Sequence, residues 1–189
     1  MLIFSIGIFL PHFFTTNELR QGVVLNDRLL QILPARNCSL IIFCLVWSTT
    51  LLIIVRSIQQ PSIFLMAIYL LILLNVSRIL AITLFHLDPP TGLIPLTDPL
   101  TGLFYGGPNV LITKDLFFSG HTSNLFLIYL CLQKKKDRQF AFLATAIVAL
   151  LVLVQHVHYS IDVIGAFIFT YCLFQITKNS DFLKYDQSS

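Results

Sequence analysis

Lys114-Asp115-Leu116-Phe117-Phe118-Ser119-Gly120-His121-Thr122 is the most polar patch that touches any hydrophobic run in this chain, and the apolar residues from Leu125 to Leu132 follow it directly. That juxtaposition places Ser119, Gly120 and His121 at or near the first turn of a membrane helix. The first amide N–H groups of a helix have no partner within it, and the aligned peptide dipoles put partial positive charge there. Gly120 has no Cβ, so a phosphate-sized group can approach the backbone closely. His121 adds a group that gives or takes a proton near neutral pH. The same residues also fit a serine N-cap followed by a structural histidine.

The surrounding composition supports the membrane reading. Of 189 residues, 56% are hydrophobic and only 11% charged, against roughly a quarter charged in an average soluble domain. Several nearly charge-free runs approach the roughly 17–25 residues that cross a bilayer. The expectation is an all-α integral membrane bundle of about six transmembrane helices, one domain over residues 1–189 with its core at 38–177. The net charge of +3 is small and unevenly placed, and it makes no case for a nucleic-acid partner. Cys38, Cys44, Cys131 and Cys172 lie in or beside predicted spans without paired spacing, so they read as small packed hydrophobes rather than disulfides or a zinc motif.

In chain order, Met1–Phe14 is a first span, short or truncated, broken by Pro11 and His12. Residues 15–37 form a polar interfacial segment with room for a short helix around Leu25 to Leu33. Span two is expected at Ser39–Val55 and span three at Ser62–Phe85. Span three carries one charge, Arg78, which either faces a cavity or partner or snorkels to the lipid phosphates. Residues 86–114 make a Pro- and Gly-rich extracytoplasmic loop, read as a lid or binding loop in preference to a linker. Spans four, five and six follow at Phe117–Leu132, Phe140–Val154 and Val163–Thr177. A single helix from 140 to 177 would be about 57 Å long, nearly twice a hydrocarbon core, so the polar cluster Gln155 to Asp162 marks a break.

Basic residues set the orientation. Arg56, Lys134, Lys135, Lys136, Arg138, Lys178 and Lys184 collect on one side, so both termini and the 178–189 tail are expected to be cytoplasmic. The lysine run reads as a topology signal without a partner of its own. His121 and His158 then share the non-cytoplasmic face. His158 and Asp162 are four residues apart, on one side of a helix. A carboxylate on one ring nitrogen fixes the tautomer and raises the basicity of the other, as covalent catalysis requires. His121 supplies an acid for a departing alkoxide. With Arg78 or Lys114 as clamps, the set suits phosphoryl transfer. A metal set of His121, His156, His158 and Asp162 is the competing arrangement, and a purely structural polar cluster is the bland one.

Asp115-Leu116-Phe117-Phe118-Ser119-Gly120-His121-Thr122 and His158-Tyr159-Ser160-Ile161-Asp162-Val163-Ile164 resemble the two signature motifs of sphingomyelin synthase-related proteins, a branch of the type 2 phosphatidic acid phosphatase superfamily. The resemblance extends loosely over residues 20 to 177. It implies a six-span bundle in which His158 attacks a lipid phosphate, Asp162 orients it and His121 protonates the leaving group. Arg78, Lys114, Asp115, Ser119, Gly120 and Tyr159 are the candidate substrate-binding residues beside that triad. It implies no metal and no organic cofactor. The partners it implies are membrane lipids: a phospholipid or lipid phosphate donor, with ceramide or diacylglycerol as a possible acceptor. The wider superfamily has an Arg six residues before its last His, where this chain has Val152, and an Arg-Pro pair, where Arg78 is followed by Ile79. Phosphate binding then leans on Arg78, Lys114 and backbone amides. Phosphatase and head-group transferase both remain open, as does a non-enzymatic transporter or lipid-binding scaffold.

Overall fold

The computed structural model describes residue 13 and residues 16–96 and 113–179. The expected first span at Met1–Phe14 (Phe13 apart), the middle of the 86–114 loop and most of the 178–189 tail lie outside them. Six helices whose full bounds fall among the described residues follow in order: α1 (Arg28–Ile32), α2 (Ser39–Gln59), α3 (Pro61–Leu84), α4 (Gly120–Cys131), α5 (Lys135–Val154) and α6 (Ser160–Asn179). The four helices α2, α3, α5 and α6 are long and apolar enough to cross a membrane, and they correspond to expected spans two, three, five and six. Among the described residues the only β-type pairing is an isolated parallel bridge between Val23 and Leu87.

Local chemistry explains the boundaries. Gln60 is extended (φ −140°, ψ 96°) and Pro61 opens α3, where its missing N–H costs nothing and its ring presets φ. The interfacial helix is shorter than the expected Leu25 to Leu33. Asp27 caps its start through the Leu29 and Leu30 amides, and Leu33 is already extended ahead of Pro34. The expected span at Phe117–Leu132 needs a larger correction. Its helix has 12 residues, about 18 Å at 1.5 Å each, against a hydrocarbon core of roughly 30 Å. Phe117 has φ 95°, a left-handed conformation through which no right-handed helix continues, so the helix waits for the Ser119 cap.

This shortest of the five main helices sits at the centre. It packs against α2, α3, α5 and α6, and seven of its residues are buried. The outer helices turn Leu40, Leu51, Ile58, Ile72, Leu80, Leu143 and Leu150 outward, as lipid-facing surfaces do. Apolar surface gains little by leaving lipid for protein, so close approach of small residues has to hold such a bundle together. On α5 the buried stripe is Ala141, Ala144, Thr145, Val148, Ala149 and Val152.

The break after α5 is made by Gln155 and His156. His156 takes a left-handed φ of 56°, and Gln155 is fully buried. Its side-chain amide donates to Ser39 Oγ (2.9 Å) and to the Ile94 and Pro95 carbonyls, while its Oε1 accepts from Cys38 N at 3.0 Å. One side chain thereby joins the start of α2, the 94–95 segment and the end of α5. The near-isosteric Gln155→Leu leaves these groups buried and unpaired, and should lower unfolding stability by about 2 kcal/mol or more, read as a depressed melting temperature in detergent.

Asp27 makes a second join. Its carboxylate accepts from Ser160 N at 2.6 Å and Ser160 Oγ at 3.1 Å, so α1 is pinned to the start of α6. Burial pushes this carboxyl up, but the bonds from Ser160, Leu29 and Leu30 outweigh it and hold it below the ordinary value of 3.8. A depressed carboxyl contributes stability that is fully present above its unfolded value and is lost as pH falls through the folded one. Asp27→Asn keeps a capping acceptor without the charge. Its melting temperature should therefore fall less steeply than the parent's as the pH drops below about 4.

Candidate active site

Asp162 lies in the first turn of α6 with no exposed surface. Its Oδ2 accepts from Tyr159 N at 3.0 Å, the reach-back of a helix-capping carboxylate. Its Oδ1 accepts from Phe117 N at 3.2 Å, and its backbone carbonyl accepts from Ser119 N at 3.1 Å. The start of α6 is thus hydrogen-bonded directly to the residues leading into α4, which puts His121 and His158 at the same end of the bundle. His158 Nδ1 stands 3.4 Å from Asp162 Oδ2, with the two side chains only 5% and 0% exposed. The pair is in electrostatic reach, though the ring is out of line for a hydrogen bond, and Nδ1 has no other partner among the described residues.

Arg78 arrives from α3. Its guanidinium pairs with the Asp115 carboxylate and lies flat against Gly120. A Cβ built on Gly120 would stand 2.5 to 2.7 Å from the guanidinium carbon and both terminal nitrogens. The space that the glycine leaves is therefore filled by this cation, not left for a ligand to approach the backbone. Arg78 does not snorkel to the lipid surface. Val152, where the superfamily carries an arginine, is buried in the apolar core around Leu125 and Val148, and Arg78 stands as the cation beside the α4 N-terminus.

His121, second residue of α4, is half-buried with its ring edge-on to Phe43, centroids 6.2 Å apart. Ser119 Oγ accepts from Thr122 N at 3.4 Å as the helix cap. The next residues hold buried polar atoms that find no hydrogen-bond partner among the described residues: Thr122 Oγ1, Ser123 Oγ and Asn124 Oδ1, along with Arg78 Nε nearby. Folded proteins rarely leave such atoms unsatisfied, and here they crowd the first two turns of one helix. Asn124, a polar residue one turn below Gly120, was not among the residues singled out from sequence; the spacing itself was the available signal.

Phe117 sets this geometry. Its left-handed backbone turns the chain into α4, its ring stacks on Phe85 with centroids 4.2 Å apart, and its carbonyl packs where Gly165 of α6 has no Cβ. Other expected site residues are occupied elsewhere. Lys114 Nζ pairs with Asp88 Oδ1 at 2.8 Å and donates to the Arg20 carbonyl. The Tyr159 hydroxyl donates to the Asp88 carbonyl at 2.8 Å and accepts from Leu25 N at 3.1 Å. His156, which the metal arrangement needs, has its Nδ1 and Nε2 each 3.0 Å from a carbonyl oxygen, those of Thr91 and Leu33. Among the described residues no group of three or more His, Cys, Asp or Glu side chains is placed to hold a metal ion.

No curated protein and no solved structure matches the chain significantly. Residues 114–180 match the family model described as PAP2 superfamily C-terminal. The matched stretch begins at Lys114 and encloses both histidine segments, and it supports assignment to the type 2 phosphatidic acid phosphatase superfamily.

Proposed function

We propose that this chain is an integral-membrane lipid phosphatase or phosphotransferase of the sphingomyelin synthase-like kind, working through a phosphohistidine on His158. The observation that carries the reading is the joining of three elements at one end of the bundle: the His158–Asp162 pair, the N-terminus of α4 with His121, and the Arg78 guanidinium against Gly120. With Nδ1 facing Asp162, the Nε2 lone pair of His158 attacks the lipid phosphorus. As the N–P bond forms, the bond from phosphorus to the leaving oxygen breaks, and His121 gives that oxygen its proton. Asp162 stabilises the cationic ring, while Arg78 and the first amides of α4 stabilise charge on the phosphoryl oxygens. In the second half His121 takes the proton from an acceptor hydroxyl, which attacks phosphorus and releases His158. Water as acceptor makes the enzyme a phosphatase; the hydroxyl of a ceramide or diacylglycerol makes it a transferase.

A lipid substrate fits the surroundings. A cavity of about 450 Å³ opens between α2, α3 and α4, lined mainly by Val46, Ile53, Phe64, Ala67 and Leu127, with Thr50, Ser57 and Asn124 as its polar residues. Its volume lies in the ordinary range of ligand pockets, and it begins one helical turn from His121. The basic residues Arg56 and Lys134 to Arg138 stand at the other end of the bundle, where Arg56 meets Asp137 at 2.6 Å. That distribution supports cytoplasmic termini and an extracytoplasmic reaction centre.

The test is turnover by purified protein on a lipid panel, with and without ceramide or diacylglycerol. Free phosphate, phosphorylated head group and new lipid are read separately. His158→Ala should abolish turnover, and His121→Ala should lower it by at least about a hundredfold, both folding as the parent does. Gly120→Ala must displace the guanidinium and should lower turnover by roughly tenfold to a hundredfold. Asp162→Asn should differ from these in also losing about 1–3 kcal/mol of stability, since its amide nitrogen would face a backbone N–H. Absence of turnover in the parent across the panel, or full turnover in His158→Ala, would overturn the mechanism.

A further inference from the structure

At the end of the bundle away from the histidines, a second pocket, open to the surface and of about 400 Å³, lies between α4 and α5, lined by Tyr129, Gln133, Lys135, Arg138, Gln139 and Phe142. Helical spacing explains the lining. Lys135, Arg138, Gln139 and Phe142 recur at intervals of three and four, so they share one face of α5, while Lys134 and Lys136 fall to either side of it and do not line the pocket. Tyr129 of α4 forms the wall opposite. Arg138 is already oriented there: its guanidinium carbon is 5.1 Å from the Tyr129 ring centroid and its Nη2 is 3.4 Å from the Tyr129 hydroxyl. Phe126 stacks behind Tyr129 with centroids 5.6 Å apart, and Phe142 is half-exposed beside it.

Among the described residues no acid is free to compensate the charge at this pocket. The one acid of the turn, Asp137, is held by Arg56 through two contacts of 2.6 and 3.2 Å. Lys135 is exposed and has no ion-pair partner among the described residues. Lys134, at the N-cap of α5, makes no side-chain cap, so the first-turn amides add partial positive charge to the same place. Cations and amide donors at the mouth, an aromatic wall rising into the apolar part of the bundle, and a location at the end of the membrane-length helix α5 describe a receptor for a phosphate that carries acyl chains.

We propose that this pocket binds the phosphate of an anionic phospholipid from the leaflet at the α4–α5 turn, with Lys135 and Arg138 gripping the head group and the chains lying along Tyr129 and Phe142. The site is separate from the reaction centre, and the lipid it holds is not the substrate. It also gives part of the lysine run a task beyond setting topology.

The test uses the full chain purified in detergent, with lipid retention read by native mass spectrometry against phosphatidylglycerol and phosphatidylcholine of matched chains. The parent should retain phosphatidylglycerol preferentially. Lys135→Gln/Arg138→Gln should weaken that retention by about fivefold or more, while Lys134→Gln/Lys136→Gln, which removes the same formal charge, should stay within about twofold of the parent. Lipid bound at the histidine site is common to all three proteins and cancels in the comparison. Equal losses in the two double variants would reduce the effect to general surface charge and overturn the pocket. So would a parent without preference, or displacement of the lipid by an equal concentration of glycerol 3-phosphate, which would make this a site for soluble anions. If the first double variant folds poorly, Lys135→Gln against Lys136→Gln, one charge removed in each, carries the same comparison.

Discussion

The buried carboxylate of Asp162 is the group on which the arrangement of the bundle's histidine-bearing end depends. It accepts the Tyr159 amide and so starts α6, it accepts the Phe117 amide and so fixes the approach to α4, and it faces the His158 ring. A charge sealed from water is tolerated only where donors replace its hydration. Here those donors are backbone amides from two separate segments. The contacts that join the start of α6 to the approach to α4 therefore also hold this carboxylate beside the His158 ring.

Around that join the bundle is built inside out. Its central helix, α4, is the shortest of the five main ones, and the longer helices enclose it while showing Leu and Ile to lipid. A helix of 12 residues is hardly stable by itself, so α4 depends on its neighbours. The small residues of α5, Ala141, Ala144 and Ala149, let those neighbours come close. Gln155 and Asp27 secure the loops at the histidine-bearing end, tying the segments before α2 to the turn that carries His158.

Much of this was legible in the residues. The apolar runs gave α2, α3, α5 and α6 within a few positions, because length and hydropathy alone decide which segments can sit in a bilayer. The break near Gln155 followed from the impossibility of a helix twice the membrane's thickness. The juxtaposition of the Ser119 segment with the His158 segment was expected from the side of the membrane on which each falls. Less legible was what long-range packing decides. That α4 begins only at Gly120 depends on a left-handed Phe117, which no propensity favours. Gly120 was read as an opening for a ligand, whereas the guanidinium from α3 fills it. Lys114 and Tyr159 stood in the right motifs, but Asp88 and two backbone groups hold them. None of these pairings has a periodicity for a linear reading to detect.

The Arg78–Asp115 pair bears on how a cation is kept among membrane helices. A lone guanidinium among membrane helices would draw in water or lipid head groups and pull the helices apart. With Asp115 beside it the cation is neutralised, yet its Nε still has a donor to offer. The pair is electroneutral without being saturated, which lets a cation stay inside the bundle beside the start of α4.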